Sequence, residues 1–257
     1  MKLTIRKRMI KEIPTLEVVP SDYSSKQLPL VIFYHGWQTS KELLLTQARK
    51  IAKKGFRVIL PDAMFHGERK KWARSSIPSF TFWTSIQYNI MEFNLMIDYF
   101  KHHDWLGDYP IIVGGYSMGG ITTAALMRQH PEIAIGVSIM GTPTPVSYFN
   151  HMQTRIKAER SIDVAPDLIR LLNWIPNYDL GLSPETINSR PLFIWHGTED
   201  SKIPYSEAKN FYHEIKGNDY AKEVVFVTGD NEGHLVTPDL MEVIAQFIEK
   251  HTKRALN

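Results

Sequence analysis

Cysteine is absent from the 257 residues of this chain. Its absence excludes disulfide bonds, a cysteine nucleophile and metal sites built from thiolates. Long apolar runs are missing too, and no stretch reaches the roughly 20 residues that a membrane-spanning helix needs. Residues 1–8 carry basic charge but lack the apolar core of a secretory signal. The sequence therefore predicts a soluble, cytoplasmic protein without a membrane partner.

An excess of charge of one sign is also missing. The net charge is +3, and acidic and basic residues are interspersed along the chain. Two short basic runs, 6–8 and 69–71, are not part of a basic stripe with interleaved aromatic residues. We therefore expect both runs to be solvated surface and expect no nucleic-acid partner.

What the chain does contain is a repeated alternation of strand-like and helix-like segments. The strand-like segments are apolar and rich in β-branched residues, as expected for strands buried on both faces. This alternation predicts an α/β fold with a doubly wound, mostly parallel sheet, preceded by an antiparallel edge hairpin. The predicted hairpin strands are 3–10 and 15–19; the other strands are 28–34, 56–60, 109–113, 133–139, 191–195 and 223–227; the helices are 43–54, 85–100, 121–128, 205–216 and 240–250.

One segment interrupts the alternation. Between 145 and 181 no strand pattern occurs, and two polar helical stretches, 151–160 and 167–174, are punctuated by proline. The sequence thus predicts a small helical insertion, and we divide the chain into a core of 1–144 and 189–257 and an insertion of 145–188.

The sharpest motif lies between the strand 109–113 and the helix 121–128. Gly115, Ser117 and Gly119 fit G-x-S-x-G, the pattern of a nucleophile elbow, in which a serine occupies a strained strand-to-helix turn. A glycine-rich turn with a bystander serine is the alternative interpretation.

Further polar residues support the catalytic interpretation. A serine hydroxyl needs a base to take its proton, and a histidine base works best when a carboxylate orients it. Asp200 and His234 follow two later strands, at the sheet edge where parallel α/β proteins place their chemistry. Serine, acid and histidine occur in the order that α/β-hydrolases use.

These motifs make the chain resemble serine hydrolases of the α/β-hydrolase superfamily, close to single-domain bacterial esterases near the prolyl oligopeptidase and dienelactone hydrolase-like groups. The matching segments are 34–37, 61–67, 115–119, 196–200 and 233–234. The resemblance implies that Ser117 attacks an acyl carbonyl, that His234 acts as base and then acid, and that Asp200 orients His234. It also implies an oxyanion hole formed by the backbone N–H groups of Met118 and Trp37. The lipase-type H-G-G-G is absent, so the second donor is less firmly identified.

Other polar residues are rivals for these roles. Glu199 is a second candidate for the acid, whereas Asp230 is expected at the surface. His35 and His196 each precede a glycine at a strand end, and we expect both to be structural. Asp62 and His66 have no evident third partner, so loop-stabilising contacts are expected rather than a metal site.

The insertion falls where similar hydrolases carry a lid over the serine. Phe149, Trp174 and Tyr178 either line an acyl pocket or pack the lid on the core. The resulting hypothesis is a serine hydrolase cleaving carboxylic esters of small to medium acyl groups. The expected partner is a small-molecule ester. We expect no cofactor and no metal, and the oligomeric state is left open. The alternatives are a peptidase or amidase acting on short peptides and a non-catalytic binding protein with a hydrolase fold.

Overall fold

Eight strands form one sheet in a computed structural model of the chain, which describes residues 1–70, 78–160 and 165–256. Their order is β1-β2-β4-β3-β5-β6-β7-β8. The predicted hairpin is confirmed, since β1 pairs antiparallel with β2, and β2 pairs antiparallel with β4; the other neighbours are parallel. The strands are β1 (Leu3–Ile10), β2 (Ile13–Pro20), β3 (Leu30–Tyr34), β4 (Arg57–Pro61), β5 (Ile111–Tyr116), β6 (Ile133–Ile139), β7 (Leu192–Gly197) and β8 (Val224–Gly229).

Helices cover both faces of this sheet. Alternate residues of β3 show the division: Ile32 packs into the core that contains α2 and α3, whereas Val31 and Phe33 pack into the core that contains α1 and α7. The strands are therefore apolar on both sides, which explains their continuous apolar runs. The helices are α1 (Leu45–Ala52), α2 (Pro78–His102), α3 (Met118–Gln129), α4 (Pro145–Arg160), α5 (Pro166–Arg170), α6 (Tyr205–Ile215) and α7 (Pro238–Leu256).

Two predicted helices begin earlier than expected. Helix α2 begins at Pro78 rather than at residue 85, and α4 begins at Pro145 rather than at residue 151. Proline is well suited to the first turn of a helix because its missing N–H has no intrahelical partner there. The predicted loop 63–74 contains a short 3₁₀ turn, Gly67–Arg69, and its last residues lie outside the described part of the chain.

The segment between β6 and β7 holds α4, α5 and three short 3₁₀ helices, Ile175–Tyr178, Leu180–Leu182 and Pro184–Ile187. Its described residues contain no strand, in agreement with the expected helical character. The predicted second helix, 167–174, is shorter, because α5 ends at Arg170. Its role as a lid, and the division of the chain at 145 and 188, stay predictions.

Candidate active site

Ser117 stands at the turn between β5 and α3. Its backbone adopts φ 57° and ψ −119°, a combination that L-residues rarely occupy and that costs free energy. The turn is fixed because the Ser117 N–H donates to the Ile139 carbonyl at 2.9 Å. The residue is 8% exposed and counts among the buried polar residues.

The two glycines of the motif make this turn sterically possible. A Cβ on Gly115 would lie 2.6 Å from the backbone of Gly119, and a Cβ on Gly119 would overlap the carbonyl oxygen of Tyr34. Both obstacles are backbone atoms, which cannot rotate away as a flexible side chain can. Small residues are thus required on each side of Ser117, as the sequence pattern indicates.

We therefore expect Gly119→Ala to lower the free energy of unfolding by about 2–3 kcal/mol, since the methyl group forces β3 away from α3. Urea unfolding of the two proteins would measure the difference. Gly233→Ala is a suitable control, because its Cβ would meet only the Glu199 carbonyl, at 3.8 Å. Equal unfolding midpoints for Gly119→Ala and the parent protein would show that the close approach is not required.

Asp200 and His234 form a hydrogen-bonded pair in the loops that follow β7 and β8. His234 Nδ1 lies 2.7 Å from Asp200 Oδ2, and the Asp200 side chain is fully buried. Burial alone would raise the pKa of Asp200, but hydrogen bonds from His196 and His234, and the charge of protonated His234, hold that pKa well below its usual range. Asp200 therefore stays ionised and keeps His234 Nδ1 as the protonated nitrogen.

Ser117 and His234 line the same pocket, whose volume is about 310 Å³. Trp37, Tyr116 and Met140 also line it, and Leu235 lies beside His234 at its wall. The pocket thus brings together residues that follow β3, β5, β6 and β8. This grouping is the one expected at the carboxyl edge of a parallel sheet.

Two backbone N–H groups belong to residues in or next to the pocket wall, since Trp37 lines the pocket and Met118 directly follows Ser117. Met118 is the first residue of α3, and Trp37 belongs to the turn after β3. Within the described residues, neither N–H donates a hydrogen bond. The free N–H groups at the start of a helix, together with its dipole, favour negative charge. The role of these two N–H groups as an oxyanion hole stays a prediction.

Histidine 35 holds the turn that carries Trp37. Its Nδ1 donates to the Gly36 carbonyl at 2.8 Å, and its Nε2 accepts the Ala63 N–H at 3.0 Å. Burial lowers the pKa of His35 and so favours the neutral ring that this pattern requires. The expected structural role of His35 is confirmed by these contacts.

A buried ion pair that the sequence did not reveal stabilises the same region. Lys41 Nζ lies 2.5 Å from Asp62 Oδ2 and 2.8 Å from Glu68 Oε1, and Asp62 also accepts the backbone N–H groups of Lys41 and Glu68. Burial would lower the pKa of Lys41, but these carboxylates raise it above its usual value. Asp62 thus makes the loop-stabilising contacts expected of it. In the sequence, Lys41 is indistinguishable from a surface lysine.

Part of the backbone strain in the described chain lies at the pocket. Ser117 and Met140, both in its wall, have positive φ values, as do Gln38, directly after Trp37, and Phe65, in the loop that contacts His35. None of the four is glycine, so each conformation is imposed by the surrounding structure.

The rival candidates lie elsewhere. Glu199 is exposed, and Asp200 is the carboxylate that contacts His234. Phe149 and Trp174 pack against the ring of Trp83, and Tyr178 packs against Trp174. These three aromatic residues are not in the wall of the Ser117 pocket, and their role in binding an acyl group stays a prediction.

Residues 1–70, 78–160 and 165–256 offer neither a metal site nor a membrane-spanning helix. There, no group of three or more histidine or acidic side chains is arranged to hold a metal ion. Nor does any described helix combine the length and apolar character needed to cross a membrane.

Residues 29–160 match the family described as alpha/beta hydrolase fold. The chain belongs to this α/β-hydrolase family. The hydrolase is 33% identical to the putative esterase YitV of Bacillus subtilis (strain 168), over 91% of this chain and 93% of YitV. It is 28% identical to the esterase YjfP of Escherichia coli (strain K12), over 97% and 99% of the two chains.

A solved structure shows the same fold over nearly the whole length of the hydrolase. TT1662 from Thermus thermophilus superposes with a TM-score of 0.78 at 19% identity, covering 98% of this chain and 99% of TT1662. The match includes the segment between β6 and β7, so the fold assignment extends beyond the residues that match the family.

Proposed function

We propose that this α/β-hydrolase is a serine esterase, which cleaves carboxylic esters through an acyl-enzyme on Ser117. The observation that carries the proposal is the position of His234, bonded through Nδ1 to the ionised Asp200 while lining the pocket of the strained Ser117. Its relatives, the putative esterase YitV and the esterase YjfP, are similar over nearly their whole lengths and support the same reaction.

Acylation begins with the Ser117 hydroxyl. Because His234 Nδ1–H is bonded to Asp200, Nε2 is the nitrogen left to accept the Ser117 proton as Oγ attacks the ester carbonyl. The C=O electron pair moves to oxygen and gives a tetrahedral oxyanion. When the C–O bond to the alcohol breaks, His234 returns the proton to the leaving alkoxide, and the acyl group stays on Ser117.

Deacylation repeats the steps with water. His234 takes a proton from water, and the hydroxide adds to the acyl carbonyl. When the second tetrahedral oxyanion collapses, the bond from the acyl carbon to Ser117 Oγ breaks, His234 returns its proton to Oγ, and the carboxylic acid leaves. The N–H groups of Met118 and Trp37 stabilise both oxyanions. Each such donor is worth about 2.7–4 kcal/mol of transition-state stabilisation in other hydrolases.

The size of the pocket favours small substrates. Its volume of about 310 Å³ lies at the lower end of the range for ligand sites, roughly 300–1,000 Å³. Short to medium acyl groups fit this space better than long chains or polymers. Ester bonds also suit the site better than amides, because an alkoxide leaves more readily than an amine.

We expect turnover of p-nitrophenyl esters from acetate to decanoate to peak at a short or medium chain, with little cleavage of matched aminoacyl anilides. Initial rates under identical conditions would measure both series. Cleavage of the anilides without the esters would favour a peptidase acting on short peptides. Absence of both activities would favour a binding protein with a hydrolase fold.

A further inference from the structure

A second histidine contacts the acid of the proposed triad. His196 lies near the end of β7 and is fully buried. Its Nε2 is 3.2 Å from Asp200 Oδ2 and 2.9 Å from the carbonyl oxygen of Ile203. The other ring nitrogen, Nδ1, is buried and has no hydrogen-bond partner.

The surroundings of the ring determine which nitrogen carries the hydrogen. A carbonyl oxygen and a carboxylate oxygen both accept hydrogen bonds and cannot donate them. Nε2 lies within reach of one of each, so it must be protonated; it is hydrogen-bonded to the Ile203 carbonyl at 2.9 Å, with Asp200 Oδ2 the second oxygen, at 3.2 Å. Nδ1 has neither donor nor acceptor, and the ring therefore acts through a single N–H.

This N–H completes the environment of Asp200. Oδ1 accepts the backbone N–H groups of Lys202 at 2.8 Å and Ile203 at 3.0 Å. Oδ2 faces the two rings, His234 at 2.7 Å and His196 at 3.2 Å. With donors on both oxygens, the plane of the carboxylate is fixed, and Oδ2 is directed at His234.

We propose that His196 is a positioning residue, whose Nε2–H orients the Asp200 carboxylate and draws charge from Oδ2, thereby setting the basicity of His234. The proposal rests on the proposed function, in which His234 is the general base. His196 does not contact the pocket that Ser117 and His234 line, so it acts through Asp200.

Other groups also face this network. Tyr148 of α4 donates to the Lys202 carbonyl, and burial together with the charge of Asp200 raises its pKa to about 12. The ring of Tyr205, in α6, packs edge-on against the ring of His196, and the Tyr205 hydroxyl is hydrogen-bonded to the Thr228 hydroxyl. Glu207 of α6 bonds to Thr144 and Ser147. The raised pKa of Tyr148 keeps this side chain neutral where a histidine base titrates.

Glutamine and methionine at 196 form a matched pair of nearly equal shape, of which only glutamine retains an N–H donor. We expect His196→Met to lower kcat/KM about ten- to hundredfold, the effect of losing one hydrogen bond to a charged group. We expect it also to move the acidic limb of the kcat/KM profile to higher pH, because a more basic Oδ2 stabilises protonated His234. His196→Gln should keep kcat/KM, and the pH of the acidic limb, close to the parent values.

Titration of active sites with a fluorophosphonate corrects each rate for misfolded protein. A merely structural His196 would lower the titrated fraction and leave the pH profile of the remaining sites unchanged. An unchanged pH profile of the titrated sites in His196→Met would overturn the proposal. Equal pH profiles for the glutamine and methionine variants would overturn it too.

NMR of the ring nitrogens separates this proposal from the proposed function, since it needs no turnover. In the parent protein, His196 should show a protonated Nε2 and a bare Nδ1, and His234 should titrate at higher pH in His196→Met. If both NMR results are found but the protein hydrolyses no ester, only the proposed function is refuted. The opposite tautomer of His196 would refute the positioning role, even if neither variant folds.

Discussion

Replacing Ser117 with alanine is expected to lower kcat for ester hydrolysis by about 10⁴- to 10⁶-fold, the range found when the nucleophile of a serine triad is removed. The methyl group cannot form the acyl-enzyme, whereas the N–H groups of Met118 and Trp37, the proposed oxyanion donors, are unchanged by the substitution. A small residual rate, with no burst of released alcohol, is therefore the expected behaviour. Rapid-mixing measurements with a p-nitrophenyl ester would record both the burst and the steady state.

Ser138→Ala is the matched control for this experiment. Ser138 is also a buried serine near α3, but its hydroxyl donates to the Gly120 carbonyl and is not in the pocket wall. Its removal should leave kcat within a fewfold of the parent value. Full activity of Ser117→Ala would show that another residue attacks the ester.

The second large effect is expected for Asp200→Asn, a loss of roughly 10⁴-fold in kcat. The reason lies in the donors around the carboxylate. Two backbone N–H groups donate to Oδ1, whereas His196 Nε2 lies 3.2 Å from Oδ2, so we expect the asparagine NH₂ at the Oδ2 position, opposite His234 Nδ1. His234 would then accept at Nδ1 and carry its hydrogen on Nε2, where it cannot receive the Ser117 proton.

Glu199→Gln tests the neighbouring carboxylate with the same change of chemistry. Glu199 is exposed and does not contact His234, so its amide should leave kcat unchanged. Steady-state kinetics of the two variants, corrected for titrated active sites, would measure the contrast. A loss of activity in Glu199→Gln with none in Asp200→Asn would identify Glu199, rather than Asp200, as the acid.

The periodicity of apolar residues and the order of the segments along the chain predicted much of the fold. The edge hairpin, the parallel strands and the helices on both faces follow from apolar runs alternating with amphipathic segments, because both patterns are local. The predicted strands 3–10 and 133–139 coincide with β1 and β6. The pairing of Asp200 with His234 was also expected, since parallel strands bring their carboxyl ends to one edge.

Other features depend on contacts between distant residues and have no local signal. Lys41 and Asp62 form a buried ion pair across 21 positions, and an isolated lysine in a polar stretch gives no sign of burial. His196 was expected to be structural, and its contact with Asp200 depends on the turn between 197 and 203. The early start of α2 was hidden because aromatic and β-branched residues such as Phe80, Thr81 and Phe82 are weak helix formers.

The strained backbone around the pocket makes stability and reactivity competing demands on this protein. Conformations such as those of Ser117 and Met140 each cost about 1–3 kcal/mol, and the folded state tolerates them only because the surrounding core holds them in place. Glycine at these positions would relieve strain and raise thermal stability, but at Ser117 it would also remove the proposed nucleophile. Selection for higher thermal stability would therefore favour substitutions at this edge of the sheet that inactivate the protein. Lys11, whose φ of 54° lies at the tip of the β1–β2 hairpin, is a safer place to begin.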